Sequence, residues 1–315
     1  MTSTRRGGRG PGELTYRPAR PDELGACADI WRVSINDYIV PLGQHEIPPD
    51  SNQVTRLFTH LQSTDPERFV VATSPDADAD ADADAGRIVA FTAAVERERL
   101  WYLSMLFVLP ELQGLGVGRE LLARVLPTDD EMARSTATDS AQPISNALYA
   151  SYGIVPRMPL LNLVGLPERP DAFGSLPSGI TPVSFDTIAG RPAGSGGPGG
   201  GGHDGLNRLI EGLDRDVVGV AHPQDHRFLR AEARHGWLGP VAARDPDLLA
   251  PILGHLTSAV IPRGASAIWV GGEADRALVA LLRAGFRLES FPVLLCWDRP
   301  YADFSRYLPS SPGLL

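Results

Sequence analysis

Residues 109–126 read LPELQGLGVGRELLARVL. Gly114, Gly116 and Gly118 fall at alternate positions, and Leu121, Leu122 and Val125 follow at helical spacing. Glycine in a helix costs up to about 1 kcal/mol relative to alanine, so three in succession need a reason. Either the backbone must come close to something, or the segment is only a flexible turn. The run before it, LWYLSMLFVLP (100–110), has the composition of a strand buried on both faces. A strand that passes through glycines into a helix start brings free N–H groups and the positive end of the helix dipole together, which makes an anion site. The dinucleotide pattern G-x-G-x-x-G does not fit. The spacing here is G-x-G-x-G, and no acidic residue stands about 20 positions later at a strand end. The triphosphate pattern G-x-x-x-x-G-K-[ST] fails because all 29 basic residues are arginine. The lack of lysine also excludes Schiff-base chemistry on the chain.

What does fit is Q/R-x-x-G-x-G/A, read as Gln113-Gly114-Leu115-Gly116-Val117-Gly118. The longer segment LFVLPELQGLGVGRELL is similar to V-x-P-x-x-Q-G-x-G-x-G-x-x-L-L of the GNAT superfamily of acyl-CoA-dependent N-acetyltransferases. A second motif of that family, L-Y-x-x-x-G-[FI], follows as Leu148-Tyr149-Ala150-Ser151-Tyr152-Gly153-Ile154. The resemblance implies acetyl-CoA as co-substrate and no metal. Its pyrophosphate would rest on the backbone N–H groups of residues 113–119, with Arg119 near the phosphates. The pantetheine arm would pair with the edge of the 100–110 strand. Amides around Leu106, Phe107 and Val108 would orient the acetyl carbonyl and stabilise the oxyanion. The amine would then attack the thioester directly. Tyr149 aligns with the tyrosine that protonates the departing thiolate. Thiol and phenol pKa values near 8.5 and 10 make that transfer nearly balanced. The competing readings are that Tyr149 only packs its ring in the core, or that Tyr152 is the acid. Asn146 could bond the pantetheine amide or merely tie down its helix start; the family more often has its asparagine where this chain has Gln142. The base is left open between Glu96 and Glu98, with Asp37, Tyr38, His45, Glu46 or a water chain as further candidates.

The elements that must position these residues follow from periodicity and turn chemistry. Strands are predicted at 14–19, 68–74, 86–96, 100–110, 132–140 and 159–165. Helices are predicted at 21–37, about 51–64, to about 126, and at 144–153, the last ending on Gly153. Leu24, Cys27, Ala28, Trp31 and Ile35 form the apolar stripe of the first helix. DADADADADAG is read as a solvated hairpin insertion; it lacks the mid-loop glycine and distant glutamate of a calcium loop. TSTRRGGRGPG reads as a disordered tail.

Beyond residue 166 the composition shifts. A linker (167–178) and a glycine-rich insert (193–205) precede helices at about 205–218 and 223–234, a strand at 236–243 and a helix at 245–260. A strand at 267–272, a helix at 273–285 and a strand at 291–298 complete the chain. The shared order, and the matched helix ends at Gly153-Ile154 and Gly285-Phe286, suggest a duplication. The expected fold is α/β (α+β). It has two GNAT-like domains, 14–166 catalytic and 179–315 degenerate, each with a mixed, mostly antiparallel twisted sheet flanked by helices and splayed in a V for CoA. The second copy has Pro246 and Asp247 at a helix start, where aspartate competes with phosphate for N–H groups. It also has Leu281 where Tyr149 stands in the first, so one site per chain is expected. The terminal RPYADFSRYLPSSPGLL resembles the tails of two-domain actinobacterial acetyltransferases.

A chain of 315 residues and net charge −9 does not favour a nucleic-acid partner. No apolar run approaches the ~20 residues of a membrane span. Cys27 and Cys296 read as buried thiols of a reducing compartment, hence a cytoplasmic protein. The expected partner is a small-molecule or peptide amine, on a monomer or homodimer. The rival from another class is a non-catalytic acyl-CoA sensor, or a drug-sequestering protein, on the same fold.

Overall fold

The computed structural model describes residues 14–49, 52–75, 86–185, 202–232, 238–259, 264–289 and 291–314. The N-terminal tail, the aspartate–alanine segment and most of the glycine-rich insert lie outside them. The chain divides into two compact units, one of residues up to Glu96 with Trp101–Asp130, the other of Arg97–Leu100 with Glu131–Leu315.

The first unit contains β1 (Thr15–Pro18), α1 (Leu24–Ile39), α2 (Asn52–Thr64), β2 (Phe69–Ser74), β3 (Arg87–Arg97), β4 (Leu100–Val108) and α3 (Val117–Val125). Its sheet runs β1-β2-β3-β4. Pairing is antiparallel, with Tyr16 opposite Ala72 and Val71 opposite Phe91. The β2 and β3 runs are buried over most of their length, which explains their continuous apolar stretches. Phe58 of α2 meets Phe69 and Phe91 edge-on, at centroid distances of 5.8 and 5.2 Å. The buried stripe of α1 is Leu24, Cys27, Ile30 and Ser34, so Trp31 and Ile35, expected in it, are only half-buried. The phase shifts because Ser34 has a partner inside: its hydroxyl donates to the Val108 carbonyl at 3.1 Å.

The second unit contains β5 (Ala133–Asp139), α4 (Pro143–Ala150), β6 (Val155–Gly165), α5 (Gly202–Val217), α6 (Pro223–Glu232), β7 (Val241–Ala242), α7 (Leu249–Ala259), β8 (Ser266–Gly271), α8 (Asp275–Ala284), β9 (Arg287–Leu288), β10 (Val293–Trp297) and β11 (Tyr307–Leu308). Its main sheet runs β5-β10-β6-β8, all antiparallel, with β9 also on β6. This order has a simple logic. β5-α4-β6 and β8-α8-β10 are both strand–helix–strand segments, and each lays its final strand beside the first strand of the other. Leu295 of β10 accordingly faces Ala137 on one side and Met158 on the other. Leu163 of β6 faces Ile268.

That exchange explains why the compact units do not follow the 14–166 and 179–315 division read from composition. A strand from near the C-terminus is built into the sheet between β5 and β6. Two details also differ from expectation. The insert read as 193–205 ends sooner, because α5 begins at Gly202. Of the strand expected over 236–243, residues 236 and 237 lie outside the described residues, and the described part is Val241–Ala242, paired with β11 of the terminal tail. Gly239 shows why the tail can approach: a Cβ there would stand 3.2 Å from the Ser310 Cα. The tail itself is structural, with Phe304, Tyr307 and Leu308 buried.

Candidate active site

From Trp101 onward the strand–glycine–helix segment lies within the first unit. After β4 the chain makes a single 3-10 turn at Pro110–Leu112 and enters the glycines. Gly114 and Gly116 have φ of +76° and +92°, in the left-handed region. A Cβ at either would meet nothing within 4 Å. The glycines are therefore required by backbone conformation and not by packing, and the space in front of them is open. Gly116 is the residue from which α3 starts, and no side chain caps that start. α3 is held from below, with Val117, Leu121, Leu122 and Val125 buried and the Trp101 indole N–H donating to the Val125 carbonyl at 2.7 Å. Anchoring is thus on one face and toward the C-terminal end, while Gly114, Leu115, Gly116 and Arg119 are exposed at the other. Such a helix start attracts an anion through its N–H groups and dipole.

Gln113 takes a different part from the one expected. Its N–H closes the turn onto the Pro110 carbonyl at 3.3 Å. Its side-chain amide donates to the Val108 carbonyl at 3.0 Å. It therefore shapes the cradle from behind. Ser34 and Gln113 both donate to that one carbonyl, which fixes the end of β4 where Leu106, Phe107 and Val108 lie. Phe107 stacks on Phe91 at 5.7 Å. No motif singles out Ser34. Its signal was spacing, since Leu24, Cys27, Ile30 and Ser34 share one face of α1.

In the second unit, Asn146 and Tyr149 lie three residues apart on α4, hence on one helix face. The Asn146 amide nitrogen donates to the Asp139 carbonyl at 3.0 Å and to the Gln142 carbonyl at 2.7 Å. The tie at the helix start, the rival of pantetheine binding, is therefore present. It uses only the nitrogen: the buried Oδ1 has no hydrogen-bond partner. Tyr149 is 4% exposed. Burial, with a smaller contribution from nearby Cys296, pushes its phenol well above the ordinary range. It stays protonated, but the same rise makes it a weaker donor, so transfer to a thiolate is not the nearly balanced step expected of an ordinary phenol. Both thiols are buried and free, and burial pushes Cys27 and Cys296 up to about 12. Tyr152 is half-buried on the turn after α4.

The two carboxylates weighed as base are both engaged by arginine. Glu96 pairs with Arg68, and its N–H donates to Asp65 Oδ1 at 3.0 Å. Glu98 sits at φ +49° and accepts from Arg215 at 2.7 and 3.0 Å. That guanidinium holds the Glu98 carboxyl below its usual range. Asn36 shapes the region after α1 by exchanging bonds with Ile47, its amide donating to the Ile47 carbonyl at 3.1 Å and accepting from Ile47 N–H at 2.9 Å.

Residues 67–159 match the family model of the acetyltransferase (GNAT) domain. None of the curated proteins compared matches the chain. Among solved structures the chain is similar to a protein assigned as an acetyltransferase from Pyrococcus horikoshii, at 14% identity and a TM-score of 0.67 over 100% of both chains. It is also similar to a GCN5-related N-acetyltransferase from Sphaerobacter thermophilus, at 14% identity and a TM-score of 0.55, covering 95% of this chain and 100% of that one. At such identity the likeness is one of fold, and it extends over both halves. No helix among the described residues is long and apolar enough to cross a membrane. The family match spans β3, β4, the glycine turn, α3 and α4, and the uncapped start of α3 lies inside the matched segment.

Proposed function

We propose that this chain moves an acetyl group from acetyl-CoA to a primary amine of a small molecule or peptide by direct transfer. The observation that carries the reading is the start of α3. Its two left-handed glycines face open space and no side chain caps the helix, which fits a pyrophosphate bound by backbone N–H groups of residues 114–119. The orphaned Asn146 Oδ1 supports it independently: it fits an N–H donor, as the pantetheine arm offers. Backbone amides at Leu106, Phe107 and Val108 orient the thioester carbonyl. The amine nitrogen forms the new C–N bond and the C–S bond breaks. Tyr149 gives its proton to the sulfur, and a base takes one from the amine.

For the base, the candidates are Glu96 and Glu98. Either carboxylate would have to release its arginine, Arg68 or Arg215, to take that proton. The test is a panel of amines with acetyl-CoA, read by thiol release and by mass spectrometry of the acceptor. Acetylated product with at least one amine class is expected. CoA binding without thiol release for any class would instead make the chain an acyl-CoA-binding module.

A further inference from the structure

A cluster unrelated to acetyl transfer lies where α5 meets α6. Asp214, on the last turn of α5, and His222 and His226, at the start of α6, each offer a ligand atom within 4.8 Å of the others. The turn between the helices is rigidly placed. Gly219 has φ +83°, and a Cβ there would stand 2.2 Å from the Tyr301 carbonyl oxygen, so only glycine fits. The Asp303 N–H donates to the Val217 carbonyl at 2.8 Å and pins the end of α5. His222 and His226 are four apart, which places them on one face. Their rings stack with centroids 4.5 Å apart and planes at 25°.

His222 is the anomaly. Its side chain is 3% exposed, and neither ring nitrogen has a hydrogen-bond partner. Buried polar groups are normally satisfied. The Asp214 carboxylate is 3.7 Å from His222 Nε2, too far for a hydrogen bond. Asp225, 3.8 Å from Nδ1, is already committed to Arg97 through two bonds of 2.7 and 2.8 Å. His226 Nε2 lies 2.8 Å from the other oxygen of Asp214.

A cation between these groups resolves the anomaly. Two ligand atoms on one tetrahedral zinc ion lie about 3.4 Å apart. Asp214 reaches His226 Nε2 through one oxygen at 2.8 Å and His222 Nε2 through the other at 3.7 Å, and one ligand atom from each residue lies within 4.8 Å of the others, so the three side chains draw in to meet one ion. Two imidazoles and a carboxylate are a donor set suited to zinc. With His222 ligating through Nε2, its Nδ1–H faces Asp225, which Arg97 holds in place. That is the carboxylate–histidine–metal arrangement that orients a ligand ring. We propose that Asp214, His222 and His226 bind one divalent transition-metal ion of the zinc type, which staples the end of α5 to the start of α6.

The test uses the untagged full chain, freed of metal and titrated with Zn²⁺ against a chromophoric chelator. About one equivalent should bind, raising the melting temperature. His226→Ala and Asp214→Asn should each weaken binding by about tenfold or more. Circular dichroism checks that these variants fold. Co²⁺ loading of the wild-type chain gives a reading that needs no variant, because tetrahedral Co²⁺ absorbs strongly in the visible. No stoichiometric uptake, uptake unchanged in both variants, or an octahedral Co²⁺ spectrum would each overturn the proposal.

Discussion

The chain contains two helices that end alike and carry different side chains four residues before the terminal glycine. α4 ends on Gly153 at φ +81°, and Ile154 N–H donates back to the Tyr149 carbonyl at 3.1 Å. α8 ends on Gly285 at φ +110°, and Phe286 N–H donates back to the Leu281 carbonyl at 3.0 Å. The backbone device is the same and both side chains are buried, at 4% and 0% exposure. One position carries a phenol and the other an isobutyl group. Two helix starts make the same contrast. α3 begins at a bare left-handed glycine with open space before it. The segment leading into α7 begins at Asp245, whose carboxylate accepts from Asp247 N–H at 3.0 Å. One start leaves room for an external anion, and the other carries its own. Packing was preserved where chemistry was not, which separates what the fold needs from what the reaction needs.

The comparison breaks most readily at Tyr149. Tyr149→Phe should lower kcat by about 10²- to 10⁴-fold, the range of a lost acid, and leave the Kd for CoA unchanged. If kcat is retained while Tyr152→Phe abolishes it, the acid is Tyr152. The matched change in the other helix should act on stability alone. Leu281→Ala empties a fully buried site beside Ala277, Ala284 and Phe286, and should cost about 2–5 kcal/mol in denaturant unfolding. Turnover per folded molecule should not change. A loss of kcat there without a loss of stability would mean that α8 takes part in the reaction.

The helix starts give the next effect. Gly116→Ala introduces left-handed strain with no clash, since a Cβ meets nothing within 4 Å. Gly116→Asp adds the same strain and a negative charge at the proposed anion site. The difference between the two variants isolates the anion effect. It should raise the Kd for CoA by about 10- to 30-fold, up to ~2 kcal/mol, in the aspartate variant. Equal Kd values in titration calorimetry would move the pyrophosphate away from α3.

Much of this contrast was legible in the sequence. The glycine spacing, the tyrosine motif, the apolar periods and the helix ends are local signals, and they place α1 to α8 and most strands of the described residues to within a few residues. The parts that were not legible depend on distant partners. Ser34 reads as an exposed polar residue until the Val108 carbonyl is placed beside it. Gln113 reads as a ligand until the same carbonyl claims its amide. The insertion of β10 between β5 and β6 joins segments far apart in sequence, and no local period encodes it. His222 and His226 stood at helical spacing throughout. It took Asp214, from another helix, to give that spacing a meaning, and the sequence reading had expected no metal.

Asp245 gives the smallest effect and the sharpest limit on the comparison. Asp245→Ala removes a cap and should lower stability by about 1 kcal/mol, read as a shift in denaturant midpoint. It should not create a second CoA site. The start it would expose lacks the glycine turn, and Pro246 offers no N–H. The stoichiometry of CoA binding should stay at about one per chain in the variant, as in the wild type. Removing a competing carboxylate is not enough to make a cradle, because the left-handed glycines that open the space at α3 have no counterpart there. A second equivalent of CoA in the variant would show that the aspartate alone had closed the site, and that glycine geometry matters less than charge.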